Sequence, residues 1–269
     1  MRRRGVHRPE PRGPAPSGDG AGLKAERRAD EGDRSLPGPR WAGGAVVDRF
    51  AARAAEAIAA SGRFTVALAG GSTPRAAYRL LATDIFVRRV DWARVQVLWG
   101  DERCVPPDDP RSNYRMAREA LLDRVPIPPG NIHRILGEDE PPQAVAEYER
   151  LLRDLLGGNQ GLDLILLGLG DDGHTGSLFP GQAALREKAR WVVADYVAAA
   201  AMWRITLTPV VINAARDVSF IVSGAAKAEC LREVIKGPFA PQSLPAQIVD
   251  PAPGHLTWLV DEAAASQLR

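Results

Sequence analysis

The sequence predicts a Rossmann-like α/β fold, in which helices flank a doubly wound, mostly parallel sheet. Two observations carry this prediction. Short apolar runs of strand length alternate along the chain with segments of helix length. Glycines and polar residues follow directly after several of these runs. Because open α/β sheets bind ligands just beyond the carboxyl ends of their strands, the residues that follow the runs are the first candidates for a site.

The elements of the first half follow from periodicity and from glycine and proline positions. Apolar residues share one helical face over 46–58, and Gly62 is expected to end that helix. Ser72 or Thr73 is expected to cap the next helix, with Pro74 in its first turn. The remaining predictions are strands at 64–68, 95–99 and 132–135, and helices at 114–122 and 145–155.

The second half begins with the stretch DLILLGLGDDGHTGSLFP, residues 163–180, which carries the strongest signal in the chain. Its first part is a run of Leu and Ile bounded by glycines, which predicts a strand buried on both faces of a parallel sheet. Further strands are predicted at 191–197, 204–207, 218–222 and 256–260, and helices at 209–215, at 225–235 and at the C-terminus.

Residues 1–40 are predicted to be a disordered extension, and residues 41–269 a single α/β domain. The extension is rich in Arg, Pro and Gly and has almost no large apolar residue, so it cannot bury enough surface to offset its conformational entropy. A nucleic-acid-binding arm and a transit peptide are weaker alternatives, because acidic residues interrupt the basic ones and prolines oppose an amphipathic helix. A translation start assigned too far upstream stays open as well.

Charge and cysteine content argue against several classes of function. The extension holds ten Lys and Arg against six Asp and Glu, and the rest of the chain holds 25 Lys and Arg against 27 Asp and Glu. Because the body of the chain is slightly acidic, no nucleic-acid partner is expected. The two cysteines have no metal-ligand spacing, and no apolar run reaches the roughly 20 residues of a membrane-spanning helix. We therefore expect a reduced, cytoplasmic protein, monomeric, with no metal and no membrane partner.

The first motif that suggests a binding role is ALAGGSTPRAAYRLL. In it, Gly70, Gly71, Ser72 and Thr73 join a strand to a helix. A glycine pair lets the backbone approach a ligand closely, and the N–H groups of the following helix attract anions. These four residues are therefore candidates for a phosphate cradle, although a plain glycine turn gives the same pattern. The motif matches neither a Walker A loop nor the GxGxxG pattern of dinucleotide sites.

Charged groups follow several other predicted strands. Asp101, Glu102 and Arg103 come directly after 95–99, where a surface ion pair is the simplest interpretation. In the functional interpretation Arg103 faces the cleft, because its planar guanidinium suits a phosphate or carboxylate. Arg204 and Lys227 also lie near strand ends, and each is a candidate for the same site or a solvated surface charge.

The third motif places His174 two residues after Asp172, at the end of the buried strand. An imidazole takes up a proton near neutral pH, and a neighbouring carboxylate orients it and stabilises its charged form. The chain has no GxSxG elbow, which argues against a covalent serine mechanism and favours water activated by His174. A polar surface loop is the alternative.

Taken together and in this order, these motifs resemble the 6-phosphogluconolactonase family. The resemblance runs from about Ala45 to the C-terminus and also includes RITLTPVVINAARDVSFIVSGAAKAECL and LTWLVDEAAA. It implies the α/β fold of the glucosamine-6-phosphate deaminase type and hydrolysis of 6-phosphogluconolactone, with no metal or organic cofactor. His174 becomes the general base and Asp172 its support. The expected substrate ligands are Gly70, Gly71, Ser72, Thr73, Asp101, Arg103, Arg204 and Lys227.

Two rival functions remain open at this point. A glucosamine-6-phosphate deaminase or isomerase resembles the chain in the glycine loop and in D-G-H, but there the histidine is typically followed by I-A-F-N-E, where this chain has T-G-S-L-F. A non-catalytic sugar-phosphate sensor with a basic tail is the second rival, and the intact pair of Asp172 and His174 argues against it. Asp171, beside that pair, is expected to be a variable neighbour.

Overall fold

The computed structural model describes residues 39–157, 161–252 and 254–268, with side chains from residue 44 onward. The predicted disordered extension lies outside the described residues, except for its last two, which begin the first helix. In the described part of the chain, no helix is both long enough and apolar enough to span a membrane.

Helices and strands alternate over most of the described chain. The helices are α1 (Pro39–Ser61), α2 (Ser72–Leu81), α3 (Asp84–Val87), α4 (Asn113–Ala120), α5 (Pro141–Leu156), α6 (Pro209–Ile212) and α7 (Ala228–Lys236). The strands are β1 (Phe64–Leu68), β2 (Val95–Trp99), β3 (Asp101–Arg103), β4 (Leu164–Leu167), β5 (Val192–Val197), β6 (Met202–Leu207), β7 (Asp217–Val222) and β8 (His255–Val260).

The central sheet has five parallel strands in the order β2-β1-β4-β7-β8. Strands β1, β4 and β7 are buried at every position, and the continuous Leu and Ile sequence of β4 is the one expected for a strand covered on both faces. The chain leaves β1 toward β2 on one side and later continues from β4 toward β8 on the other. The carboxyl ends of β1 and β4 therefore border the switch point, where such sheets bind ligands. The predicted mostly parallel sheet is confirmed.

A second, antiparallel sheet with the order β3-β6-β5 was not predicted from the sequence. Strand β3 follows β2 after one residue, Gly100, and pairs with β6 instead of continuing the parallel sheet. Strands β5 and β6 form a hairpin across residues 198–201, in which Ala201 has a φ of 47°. An alanine turn lacks the Gly, Asn or Asp that normally marks a hairpin, so this connection gave no recognisable signal.

Three predicted elements differ from the structure. The strand expected at 132–135 is reduced to one bridge between Ile132 and Val97, in which the His133 N–H donates to the Val97 carbonyl. The expected C-terminal helix is a short 3₁₀ turn, Ala264–Gln267. The helix after β1 begins at Ser72 with Gly71 as its N-cap, so neither Ser72 nor Thr73 caps it.

An ion pair between Arg49 and Asp217 joins α1 to the start of β7. Arg49 donates from Nη2 to Oδ2 of Asp217 at 2.5 Å and from Nε to Oδ1 at 3.2 Å. The Asp217 side chain is only 1% exposed, and the next cation, Nε of Arg53, lies 3.9 Å away. Removing one partner of an ion pair is costly when the other partner is this deeply buried.

We expect Arg49→Met to lower the free energy of unfolding by about 3 kcal/mol, because it leaves a buried carboxylate without its nearest cation. Urea denaturation followed by circular dichroism measures the change. The control is Arg150→Met, which removes an exposed ion pair with Asp154 and is expected to cost less than about 1 kcal/mol. Equal losses in the two variants would contradict this account of α1 packing.

Candidate active site

A cavity of about 260 Å³ opens at the carboxyl ends of the parallel strands. Its wall contains nine of the ten site residues predicted from the sequence: Gly70, Gly71, Ser72, Thr73, Asp101, Arg103, His174, Arg204 and Lys227. The tenth, Asp172, lies behind the imidazole of His174 and contacts it. Residues from five separate stretches of sequence therefore meet in one place. Three of the stretches follow the parallel strands β1, β4 and β7, as expected for one edge of that sheet, and two belong to the antiparallel strands β3 and β6.

The imidazole of His174 lies at the cavity wall and contacts a carboxylate. Asp172 accepts through Oδ1 from the backbone N–H of His174 at 3.1 Å and lies 2.5 Å from its Nδ1. Burial alone would raise the pKa of Asp172, but the hydrogen bonds from the His174 backbone and ring lower it. An ionised carboxylate only accepts, so Nδ1 donates to it, and in the neutral imidazole the lone pair then lies on Nε2. The geometry thus leaves Nε2 free to take a proton from water.

The loop that carries His174 is held in place by its glycines and by hydrogen bonds to the end of β4. Gly173 and Gly176 have φ values of 78° and 55°, which only glycine adopts readily. The hydroxyl of Thr175 donates to the carbonyl of Gly168 at 2.8 Å, and the N–H of Gly170 donates to the carbonyl of His174 at 2.8 Å. These bonds fold the loop back over the strand end, so the imidazole lies at the cavity wall.

The N-terminus of α2 also faces the cavity, which Gly71, Ser72 and Thr73 line. Gly71 has a φ of 103°, and no side chain caps the helix. The free N–H groups of the first turn, at Ser72 and Thr73, carry the positive end of the helix dipole. Together with the two hydroxyl groups, they form a surface that suits an anion.

Two arginines form the most basic part of the cavity. Arg103 and Arg204 pair directly across β3 and β6. The Nε atoms of both are buried and have no hydrogen-bond partner among the described residues. Burial and then the neighbouring charge of Arg103 lower the pKa of Arg204. Two adjacent guanidinium groups with unused donors favour a phosphate or carboxylate ligand, which would satisfy both.

Lys227 adds a third cation beside the His174 loop. It lies in the 3₁₀ turn Ala225–Lys227, and its Nζ is 2.6 Å from Oδ1 of Asp171. The turn is held by the buried Asp261, which accepts from the Ser223 hydroxyl at 2.5 Å and from the Gly224 N–H at 3.1 Å. Asp171, expected to be a variable neighbour, therefore contacts a predicted substrate ligand.

Asp101 is placed differently from the other predicted ligands, because its carboxylate is buried and already accepts hydrogen bonds. The donors are Oγ of Ser177 at 2.7 Å and Nδ2 of Asn113 at 3.2 Å. Nη1 of Arg204 lies 3.9 Å away. A carboxylate repels phosphate but accepts from sugar hydroxyl groups and orients a guanidinium, so the geometry favours those two roles for Asp101.

Sequence reasoning missed the support around Asn113. Glu102 is buried, which raises its pKa, and it accepts from the backbone N–H groups of Asn113 at 2.8 Å and Tyr114 at 2.7 Å. It thereby holds the start of α4 and directs Asn113 toward Asp101. The Ser112 hydroxyl caps this helix, and the serine was a visible helix-start signal. No local pattern, however, indicates that the next side chain faces a strand end.

Comparison with known proteins agrees with this geometry. The profile described as glucosamine-6-phosphate isomerases/6-phosphogluconolactonase matches residues 42–258. The chain belongs to this family. It is 42% identical over 217 residues to a 6-phosphogluconolactonase of Nostoc sp., a match that covers 79% of this chain and 88% of that protein.

Solved structures of the family share the fold. The 6-phosphogluconolactonase from Trypanosoma cruzi superposes with a TM-score of 0.76 at 28% identity, covering 87% of this chain and 95% of that one. A monomeric glucosamine-6-phosphate deaminase superposes with a TM-score of 0.73 at 22% identity, covering 86% of this chain and 98% of that one. At this identity the similarity supports the fold alone. The resemblance inferred from the sequence motifs is confirmed.

We expect Gly70→Ala to lower the free energy of unfolding by about 1–3 kcal/mol, because the new methyl group would overlap the side-chain amide of Asn113. Gly130→Ala is the control: a methyl group there meets open space and is expected to change stability by less than about 1 kcal/mol. Urea denaturation of both variants measures the difference. Equal stability of the two would show that Gly70 and Asn113 are not in close contact.

Proposed function

We propose that this chain is a 6-phosphogluconolactonase, which hydrolyses 6-phospho-D-glucono-1,5-lactone to 6-phospho-D-gluconate in the oxidative pentose phosphate pathway. The observation that carries the proposal is the pairing of His174 with Asp172 in the same cavity as Arg103, Arg204 and Lys227. The pair of His174 and Asp172 supplies a base that takes a proton from water, and the three cations suit a phosphate group. Relatives with this activity span most of the chain.

In the proposed mechanism, Nε2 of His174 takes a proton from a water molecule as its oxygen attacks the lactone carbonyl carbon. The imidazolium that forms is stabilised by the Asp172 carboxylate. The tetrahedral intermediate then collapses by breaking the bond between that carbon and the ring oxygen, and the ring oxygen takes the proton from His174. One water is consumed, and the base returns to its starting state. A lactone is an activated ester, so this mechanism uses no metal or organic cofactor.

The substrate's phosphate is assigned to Arg103, Arg204, Lys227 and the open N-terminus of α2. Gly70 and Gly71 provide space for the backbone to approach it, and Ser72 and Thr73 provide hydroxyl donors. Asp101 accepts from a sugar hydroxyl or holds Arg204 in place. A deaminase is not favoured, because T-G-S-L-F replaces the I-A-F-N-E that typically follows its histidine.

The proposed enzyme is a monomer with one catalytic domain and a cytoplasmic location. A monomer suffices, since one chain contributes both the acid–base pair and the three cations. Residues 41–269 act as one catalytic domain, and nucleic acid is not a partner, because the body of the chain has no basic surplus. Cys104 and Cys230 are both free, which fits a reducing, cytoplasmic location.

We expect His174→Ala to lower kcat by about 10²–10⁴-fold, because the variant has no base to activate water. The assay follows hydrolysis of 6-phosphogluconolactone, corrected for its spontaneous hydrolysis, with glucosamine 6-phosphate as a parallel substrate. Binding of the product, measured by calorimetry, should remain largely intact. Undiminished turnover in the variant would overturn the mechanism, and turnover of glucosamine 6-phosphate alone would overturn the assignment of substrate.

We expect Arg204→Ala and Lys227→Ala to lower kcat/KM for the phosphorylated lactone by about 10–100-fold, the effect of losing one charged hydrogen bond. For unphosphorylated gluconolactone the loss should be within about threefold, so the preference for phosphate falls. Arg150→Ala, on the exposed face of α5, is the control and should leave both substrates unaffected. An unchanged preference in either variant removes that residue from the phosphate site.

A further inference from the structure

Two neighbours lie against the imidazole of His174. The ring of Phe179 stacks on it, with centroids 4.2 Å apart and an angle of 26° between the planes. Gly170 is also close, because a methyl group on its α-carbon would overlap the imidazole. The histidine ring therefore packs against a phenyl ring and a glycine.

The contact between the His174 and Asp172 side chains does not by itself fix the plane of the ring. Nδ1 of His174 contacts Oδ1 of Asp172, two residues earlier in the same loop, and the same oxygen accepts from the His174 backbone N–H. Asp172 is itself half exposed, with 51% of its side chain accessible. The backbone of His174 is held by its bond to Gly170, but the two paired side chains can still turn together about their own bonds. A contact from outside the pair is needed to fix the plane of the ring.

Phe179 is well placed to supply that contact. The preceding residue, Leu178, is fully buried and bridges to Thr175, so the backbone under Phe179 is fixed. The same phenyl ring also faces Arg204, whose guanidinium carbon lies 5.8 Å from the ring centroid. That distance is within the range of a cation–π contact. One ring thus contacts both the acid–base group and a predicted phosphate ligand.

We propose that Phe179 is a positioning residue for the reaction: with Gly170, it holds the imidazole of His174 in the plane that directs Nε2 into the cavity, and it separates His174 from Arg204. The proposal rests on the proposed role of His174 as the base. A base acts only where its lone pair meets the proton it takes, and small misplacements of such groups lower turnover sharply. Losing the ring should therefore affect turnover more than binding.

The test compares Phe179→Leu with Phe179→Tyr. We expect Phe179→Leu to lower kcat for 6-phosphogluconolactone by about 10–100-fold, with KM within about threefold of the parent, because the imidazole is free to turn while the phosphate ligands remain. Phe179→Tyr keeps the stacked ring and should retain kcat within about threefold. The control is Phe64→Leu, which removes a buried phenyl ring that contacts Phe50 at the amino end of β1, opposite the carboxyl end that borders the cavity, and should leave kcat close to the parent value.

A second measurement does not depend on activity. Protons held over the face of a phenyl ring are shielded, so the NMR signals of the His174 imidazole should move downfield in Phe179→Leu and stay in place in Phe179→Tyr. Comparison with spectra of His174→Gln assigns those signals. Unchanged signals in Phe179→Leu would overturn the contact, and moved signals with unchanged kcat would overturn the positioning role. Absence of lactonase activity in the parent, with the signals moving as expected, would instead overturn the proposed function.

Discussion

The parallel pairing of β1 with β4 is the interaction on which the candidate site depends. Val66 pairs with Leu164, and the start of the pair is held by Asp163, whose Oδ2 accepts from both the N–H and the hydroxyl of Thr65 at 2.8 Å. Because a strand rises about 3.3 Å per residue, a slip of one residue would move the His174 loop by that distance relative to the N-terminus of α2. A displacement of this size would change the distance between the His174 imidazole and the first turn of α2, on which the proposed reaction depends.

Buried carboxylates hold the loops that leave the sheet. Glu102 holds the start of α4, and Asp261 holds the turn before Lys227, each by accepting from backbone N–H groups. Burial alone raises the pKa of a carboxylate, and at Asp261 the hydrogen bonds from Ser223 and from backbone N–H groups reverse that effect and lower it. Such bonds fix the backbone itself, so the cavity side chains start from rigid positions.

Much of this arrangement could be predicted because local sequence patterns indicate it. The residues that follow β1, β4 and β7 belong at one edge of the parallel sheet, and six of the nine predicted residues that line the cavity lie there. Asp101, Arg103 and Arg204 reach the cavity from the antiparallel strands β3 and β6. The antiparallel sheet was not predictable, since an alanine turn joins its hairpin. Asn113 and Phe179 were missed for a different reason: their roles depend on contacts across the fold, which neither spacing nor residue type indicates.

The carboxylates beside His174 have a consequence for the end of the catalytic cycle. Hydrolysis of a lactone converts a neutral ring carbonyl into a carboxylate, so under the proposed function the product gains a negative charge near Asp172. Like charges at short range repel, and the repulsion is strong where water is partly excluded. The phosphate end of the product remains attracted to Arg103 and Arg204 throughout. Product departure should therefore begin at the newly formed acid group, with the phosphate leaving last.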